Sequence, residues 1–221
     1  MEEQIKDQDV PVVDLEKLVE EGEIKELDFS SLSTFSNEEF ALELLKTSSE
    51  YLGVSRSSNI EQVGRFLRLF GLGVRDESGK WMPFCAAGLS FAAAKTFCDL
   101  SGIKYNQNNA IGIFKTVLLA IKDRFFRPTA RVREVKETAI NQGRYLVNSA
   151  ANRKLVKPGY LILFQFDSDP MPDHIGIVVS IDSDSVKTVE FNTSSENDTN
   201  GGAVSRRDRS FKTIDGFVKL Y

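Results

Sequence analysis

The hydrophobic pattern of this chain changes from a helical to a strand period at the turn Lys157-Pro158-Gly159. Before this turn, apolar residues recur three or four positions apart, as they do on one face of a helix. After it, short apolar runs alternate with polar turns, as in neighbouring antiparallel strands. Helices first and strands second predict an α+β fold, with N-terminal helices packed on a C-terminal antiparallel β-sheet.

Turn and capping residues predict where these elements begin. Ser36 and Asn59 have the character of N-caps, because acidic residues and an apolar face follow each of them. Pro83 ends any earlier helix and is tolerated in the first turn of the next. The remaining predictions are helices over residues 84–100, 111–126 and 132–147 and strands over 160–166, 175–181, 186–192, 203–207 and 216–220.

The first 35 residues differ in charge from the rest of the chain. Residues 1–28 contain eleven Asp and Glu against three Lys, a balance of −8, so the remainder of a chain of net charge −4 carries +4. Dense charge and low apolar content predict a loosely packed acidic arm over residues 1–35 and one domain over residues 36–221. The alternative is a docking or autoinhibitory segment, since Val12–Val19 and Ile24–Leu27 have the spacing of a short amphipathic helix.

Composition argues against several functional classes. No apolar run is long enough to cross a membrane, and no dense Lys/Arg stripe with interleaved aromatic residues indicates nucleic acid. The two cysteines lie 13 residues apart on one predicted helix, too far for a mutual disulfide. With one histidine and two cysteines, a zinc site of the usual type is improbable. We therefore expect no metal and no nucleic-acid or membrane partner. The chain is also expected to be a monomer.

Cys85 is the first candidate for chemistry. It follows Pro83 by two residues, and small and apolar residues continue from it to about Ser101. This places the thiol at the N-terminus of a buried helix, where backbone amides and the positive end of the helix dipole stabilise a thiolate. We expect Cys85 to be an accessible nucleophile and Cys98, further along the same helix, to be inert.

His174 is the only histidine of the chain and therefore the natural candidate for a base. It opens an apolar strand, and the turn at residues 182–185 predicts a hairpin in which His174 lies opposite Asn192. Glu190 shares their face, because side chains two apart on a strand point the same way, whereas Phe191 points into the core. This face supplies a base and an orienter for its imidazole. The choice between Glu190 and Asn192 stays open, and a register slip by one residue would scramble both.

Each of these residues also has a simpler interpretation. A cysteine among Ala, Gly and Phe is more often a core residue than a nucleophile. A lone histidine at a strand start is usually structural or exposed, and Glu-x-Asn on a strand usually faces solvent. Their order along the chain favours catalysis: a cysteine at a helix start, a histidine at a strand start, then Glu and Asn on the next strand.

That order also carries a resemblance to a known family. Four fragments resemble the CHAP and NlpC/P60 amidase-endopeptidases, papain-like cysteine hydrolases of bacterial peptidoglycan. The fragments are Met82–Ala87, similar to a Pro-Trp-Cys-Ala nucleophile motif; Lys157–Leu161, similar to Pro-Gly-Asp; Asp173–Val178, similar to His-Val-Gly-Ile-Val; and Val189–Thr193 with Gly201–Val204 and Gly216–Val218, similar to Glu-Gly-Asn-Thr, Gly-Gly-Val and Gly-Phe-Val. The likeness covers roughly residues 40–221. Phe84, Tyr160 and Phe191 stand where Trp, Asp and Gly are usual.

The resemblance implies a papain-like fold and a cofactor-free hydrolase that cleaves an amide bond of peptidoglycan through an acyl-enzyme. It implies Cys85 as nucleophile, His174 as base and Glu190 or Asn192 as the third catalytic member. In this setting Trp81 is expected to line the substrate groove, although a single Trp can equally pack beside the helix.

Some CHAP members bind calcium in an acidic loop before the nucleophile. Here Asp76 and Glu77 are present, but Lys80 and Met82 occupy positions where ligands would be needed, so the prediction of no metal stands.

Two other functions fit the sequence. One is a non-catalytic papain-like binding module, against which the intact Cys, His and Glu/Asn set argues. The other is a related cysteine hydrolase, such as a deamidase or transferase toxin, that acts on another amide. The acidic N-terminus does not have the pattern of a Sec signal peptide. The chain is therefore expected to be made in the cytoplasm and to reach the cell wall by phage lysis, injection or another form of secretion.

Overall fold

The structure is a computed structural model that describes residues 6, 9–13, 17, 34–168, 170–193 and 202–221. The amphipathic helix predicted within residues 12–27 lies mostly outside the described residues. Residues 194–201, between the predicted strands over 186–192 and 203–207, also lie outside the described residues.

The helices of the described chain precede and flank the first strand. They are α1 (Asn37–Ser49), α2 (Ile60–Arg68), α3 (Cys85–Ser101), α4 (Ala110–Arg124), α5 (Val132–Asn141) and the short α6 (Ala150–Arg153). Ser36 and Glu39 form a reciprocal capping box at α1, and Asn59 accepts a hydrogen bond from the amide of Gln62 at α2, as the sequence predicts. None of these described helices is long and apolar enough to span a membrane.

The strands form a single six-stranded antiparallel sheet. They are β1 (Tyr145–Val147), β2 (Leu161–Phe164), β3 (His174–Ile181), β4 (Ser185–Thr193), β5 (Ala203–Ser210) and β6 (Ile214–Val218), arranged in the order β1-β6-β2-β3-β4-β5. The predicted α+β class, with N-terminal helices and a C-terminal antiparallel sheet, is therefore confirmed.

The two faces of the sheet bury different side chains. Ile175 and Phe191 belong to the main core, which the helices share, and α3 packs directly on β3 and β4. Phe164 belongs to a second, smaller apolar cluster on the other face. Because side chains alternate along a strand, His174 and Glu190 project from this second face, away from α3.

The pairing of β3 with β4 has the predicted register at its functional end. Gly176 lies opposite Glu190, and the register shifts by one residue only between Val178 and Ser180. Phe191 is buried against α3, as predicted, and a Cβ atom on Gly88 would lie 2.3 Å from its ring. Gly88 therefore allows the first turn of α3 to lie directly on β4.

One predicted helix is wrong in its second half. Residues 132–147 do not form a single helix, because α5 ends at Asn141 and Tyr145–Val147 pairs with β6 as strand β1. Gly143 adopts a φ of 65°, a left-handed conformation that glycine reaches without strain and that ends the helix.

The acidic arm is not loosely packed along its whole length. Val10 is buried in the main core, and the carbonyl of Val13 accepts a hydrogen bond from Arg127 at 3.5 Å. Phe35, also assigned to the arm, packs its ring on Phe97 at a centroid distance of 5.5 Å. At these described positions the segment contacts the domain through apolar burial and one hydrogen bond, whereas the division into an arm and a domain stays a prediction.

Candidate active site

Cys85 is the first residue of α3. Phe84 precedes it as N-cap and provides no side-chain hydrogen bond, so the positive end of the helix dipole is not offset by a capping oxygen. Cys85 is only 2% exposed, which corrects the expectation of an accessible thiol. A reagent or substrate can reach its sulfur only if neighbouring atoms move.

Cys98 lies on the same helix in a different setting. It is fully buried in the main core, and no disulfide involves either cysteine. Burial, with a smaller contribution from the neighbouring Asp99 carboxylate, raises the pKa of the Cys98 thiol to about 12. Cys98 therefore stays protonated at neutral pH, which agrees with the prediction that it is inert.

His174 and Glu190 are in direct contact. The Nε2 atom of His174 lies 2.9 Å from Oε2 of Glu190, and both side chains are buried. Glu190 reaches the ring across Gly176, where a Cβ atom would lie 2.7 Å from Cγ of Glu190. With Nε2 engaged by the carboxylate, Nδ1 is the ring nitrogen that could accept a proton from a thiol.

The Glu190 carboxylate is fully buried and surrounded by donors. Arg209 donates from Nε to Oε1 at 2.8 Å and from Nη2 to Oε2 at 2.5 Å, and Thr188 donates from Oγ1 to Oε1 at 2.6 Å. Burial by itself would raise the pKa of Glu190, but the hydrogen bonds from Arg209 and His174 outweigh it and hold the pKa well below its usual range. Glu190 is therefore ionised beside the imidazole, where a carboxylate orients the ring and stabilises its protonated form.

This lowered pKa predicts a specific acid sensitivity. A depressed folded-state pKa stabilises the fold above the ordinary value of about 4.5, and that stability is lost progressively as pH falls further. We expect the free energy of unfolding to decline below about pH 4.5 by on the order of 2 kcal/mol or more, and Glu190→Gln to flatten that decline. Urea denaturation between pH 7 and pH 2 measures it. Glu61→Gln, on the exposed face of α2, is the control and should keep the parental slope; an unchanged slope in Glu190→Gln would contradict the prediction.

Asn192 does not take the place that the hairpin register assigns to it. The β3–β4 pairing ends at Gly176 and Glu190, and Asn192 has a left-handed backbone with a φ of 55°. Its Oδ1 atom accepts a hydrogen bond from Nη2 of Arg56 at 2.7 Å. Glu190 rather than Asn192 is thus the hydrogen-bonding partner of His174, because the left-handed residue turns the Asn192 amide toward Arg56.

Arg56 connects the end of β4 to the segment before Cys85. The same Nη2 atom that donates to Asn192 also donates to the carbonyl of Met82 at 3.0 Å. The guanidinium lies 5.5 Å from the centre of the Phe84 ring. The start of α3 is therefore held at the end of the sheet where β3 begins. Since His174 projects from the face opposite to α3, the thiol could meet the imidazole only around this end.

Trp81 lies next to this bridge and is partly buried. The Arg75 guanidinium lies 3.5 Å from the centre of the Trp81 ring. The Arg56 guanidinium lies 5.2 Å from the same ring centre. Trp81 is thus held in place by cation–π contacts close to Cys85. Its place in a substrate groove stays a prediction.

Three residues around the site were not predicted as site residues: Arg56, Arg209 and Phe166. The ring of Phe166 lies 5.6 Å from that of His174 and is half-exposed, so it covers the imidazole from the solvent side. Arg209 lies in an Arg-Arg-Asp-Arg run that resembles an ordinary solvated edge strand. One sequence signal indicates its position. Side chains two apart on a strand share a face, so Arg209 lies on the same face as Ser205, which is opposite Glu190 in the sheet.

Comparison with known proteins gives no match to a family model, to a curated protein or to a solved structure. Among the described residues, no group of three or more His, Cys, Asp or Glu side chains is placed to hold a metal ion.

Proposed function

We propose that this protein is a cysteine-dependent hydrolase that cleaves an amide bond of bacterial peptidoglycan. The observation that carries the proposal is the buried contact between Nε2 of His174 and an ionised Glu190 at 2.9 Å, at the end of the sheet where α3 begins with Cys85. A buried carboxylate on one ring nitrogen fixes the tautomer of an imidazole and prepares the other nitrogen to act as a base.

In the proposed reaction, Nδ1 of His174 takes the thiol proton of Cys85 and the sulfur attacks the amide carbonyl. The amide N–H of Cys85, at the helix start, donates to the oxygen on which negative charge develops. The protonated imidazole then gives its proton to the leaving amine, and a thioester remains on Cys85. Water, deprotonated by His174, hydrolyses the thioester to a carboxylate and restores the thiol.

The choice of peptidoglycan as substrate follows from the resemblance of four fragments to CHAP and NlpC/P60 enzymes. The papain-like character of the fold and the action at the cell wall belong to the same proposal. The net charge of +4 outside residues 1–28 is compatible with an anionic polymer. Trp81 and the adjacent Arg75 provide an aromatic and cationic surface close to Cys85 for a sugar or an acidic stem peptide.

The low exposure of Cys85 favours one alternative, a papain-like module that binds without catalysis. In such a protein the His174–Glu190 contact would be a structural remnant and the thiol would remain covered. In a hydrolase the neighbours of Cys85 must move to admit substrate.

Purified sacculi distinguish these functions. A peptidoglycan hydrolase releases new amino groups and soluble fragments, whose masses identify the cleaved bond. A binding module sediments with sacculi and releases nothing. A hydrolase of another amide neither binds nor cleaves them, although its thiol still reacts. Absence of both binding and release would overturn the proposed substrate.

Thiol labelling tests whether Cys85 becomes accessible. We expect iodoacetamide at neutral pH to modify Cys85 first and to stop turnover, because Cys85 lies at a helix N-terminus whereas Cys98 stays protonated. Peptide mass spectrometry gives the order of modification. Cys98→Ser is the control and should be labelled and inactivated at the parental rate; preferential labelling of Cys98 in the native protein would rule out Cys85 as the reactive thiol.

A further inference from the structure

Arg209 is held more firmly than a residue of an edge strand needs to be. Its guanidinium donates two hydrogen bonds to Glu190 and a third, from Nη2, to Oγ1 of Thr193 at 3.1 Å. It also lies 5.4 Å and 5.0 Å from the ring centres of Phe164 and Phe166. A two-pronged contact of this kind fixes both the position and the direction of a carboxylate.

The position of Arg209 matters for the charge of the catalytic pair. Oε2 of Glu190 is shared, because it accepts from Arg209 and also lies 2.9 Å from Nε2 of His174. When the imidazole is uncharged, the positive charge of Arg209 and the negative charge of Glu190 offset each other. Without Arg209, the fully buried carboxylate would have His174 as its nearest cation, and a protonated imidazole would be the state that satisfies it.

We propose that Arg209 is a positioning residue that aims the Glu190 carboxylate at Nε2 of His174, which leaves Nδ1 as the basic nitrogen of the ring, and that offsets the negative charge of this carboxylate. The role in turnover rests on the proposed hydrolase function, whereas the effect on the imidazole does not. Arg209 touches Glu190 and not the reacting atoms, so it acts through its partner. The pKa of Glu190, held below its usual range by Arg209 first and His174 second, agrees with this role.

Other ionisable groups also surround the pair and contribute to its field. They are Asp173 in the loop before β3, with Asp167 near it, and Arg207 on β5, which lies opposite Thr188 in the sheet. Arg56 and Cys85 lie further away, at the end of β4 and at the start of α3. None of these is hydrogen-bonded to Glu190 in the described chain. Arg209 is therefore the cation whose removal should change the imidazole most.

The single histidine makes the test direct. The full chain gives one imidazole C2–H signal in proton NMR, so its titration needs no assignment. In Arg209→Gln we expect the pH midpoint of this signal to rise by about one to two pH units relative to the parent. The midpoint of the acid limb in the pH profile of turnover should move to higher pH by a similar amount, while KM stays near the parental value. In Arg209→Lys, which keeps a charge but loses the two-pronged contact, we expect a smaller rise of about half a unit.

Arg206→Gln is the matched control. Arg206 lies on the same strand and is exposed, so its removal should leave the midpoint within about 0.2 of the parent. If Arg209→Gln folds and its imidazole midpoint is also within about 0.2 of the parent, the proposal is overturned. If Arg209→Gln does not fold, Arg209→Lys decides, and a parental midpoint together with parental ring ¹⁵N shifts would overturn it.

The same experiment separates this inference from the proposed function. A shifted midpoint in a protein that releases nothing from sacculi would support the role of Arg209 and count against the hydrolase. An active enzyme whose imidazole titrates identically with and without Arg209 would support the hydrolase function and overturn the role proposed for Arg209.

Discussion

Replacing Cys85 with Ala is expected to lower amine release from sacculi by at least about 10⁴-fold, because no other thiol of the chain can form the acyl-enzyme. His174→Gln should be equally inactive, since the chain has no second histidine to serve as base. The effects should not multiply in the double variant, because nucleophile and base act as one unit. Initial rates of amine release at fixed sacculus concentration measure all three.

The controls for this prediction follow from the packing. Cys98→Ala removes a thiol from the same helix and should keep parental turnover, although it loses some packing in the core. Gln preserves much of the volume of the imidazole that packs between Glu190 and the rings of Phe164 and Phe166. Melting curves should therefore stay cooperative in the active-site variants. Residual turnover above about 10% of the parent in Cys85→Ala would exclude covalent catalysis at this residue.

The sequence predicts the elements of this fold well because its local signals agree with one another. The capping residues Ser36 and Asn59 mark two helix starts, and the change of period at Lys157 marks the beginning of the sheet. Strand β1 is not predicted because it has only three residues, Tyr145–Val147. They form a strand only through pairing with β6, which lies some 70 positions away in the chain. Burial of Val10 has the same origin, since the main core to which it belongs is formed by residues far along the chain.

Within the candidate site, the same limit applies to long-range side chains. Hairpin geometry is local, and it predicts that Glu190 and His174 share a face and that Phe191 points inward. It does not predict the left-handed backbone at Asn192 or the hydrogen bond that the Asn192 amide accepts from Arg56, 136 residues earlier. Arg209 is missed for the same reason: the strand period places it on the face of Glu190, but it does not show that the guanidinium turns to the carboxylate and not to solvent.

Glu190→Gln is expected to lower turnover by about 10²–10⁴-fold, the range typical of acid–base support. The amide keeps the shape of the side chain but removes the charge that stabilises protonated His174 during proton transfer. It also leaves the Arg209 guanidinium without its counterion, so the free energy of unfolding should fall by about 3–5 kcal/mol. Turnover must therefore be measured below the melting transition of the variant.

Asn192 supplies the comparison that decides the third catalytic member. Asn192→Gly removes the amide and tolerates the φ of 55°, so it separates the side chain from the backbone strain that Asn192→Ala would add. Because the amide contacts Arg56 and not the imidazole, we expect less than about a tenfold loss of turnover. Full activity in Glu190→Gln with a large loss in Asn192→Gly would instead make Asn192 the orienter, which requires the amide to swing from Arg56 to His174 when substrate binds. Full activity in both variants would mean that His174 works without either partner, and the contact at 2.9 Å would then serve stability alone.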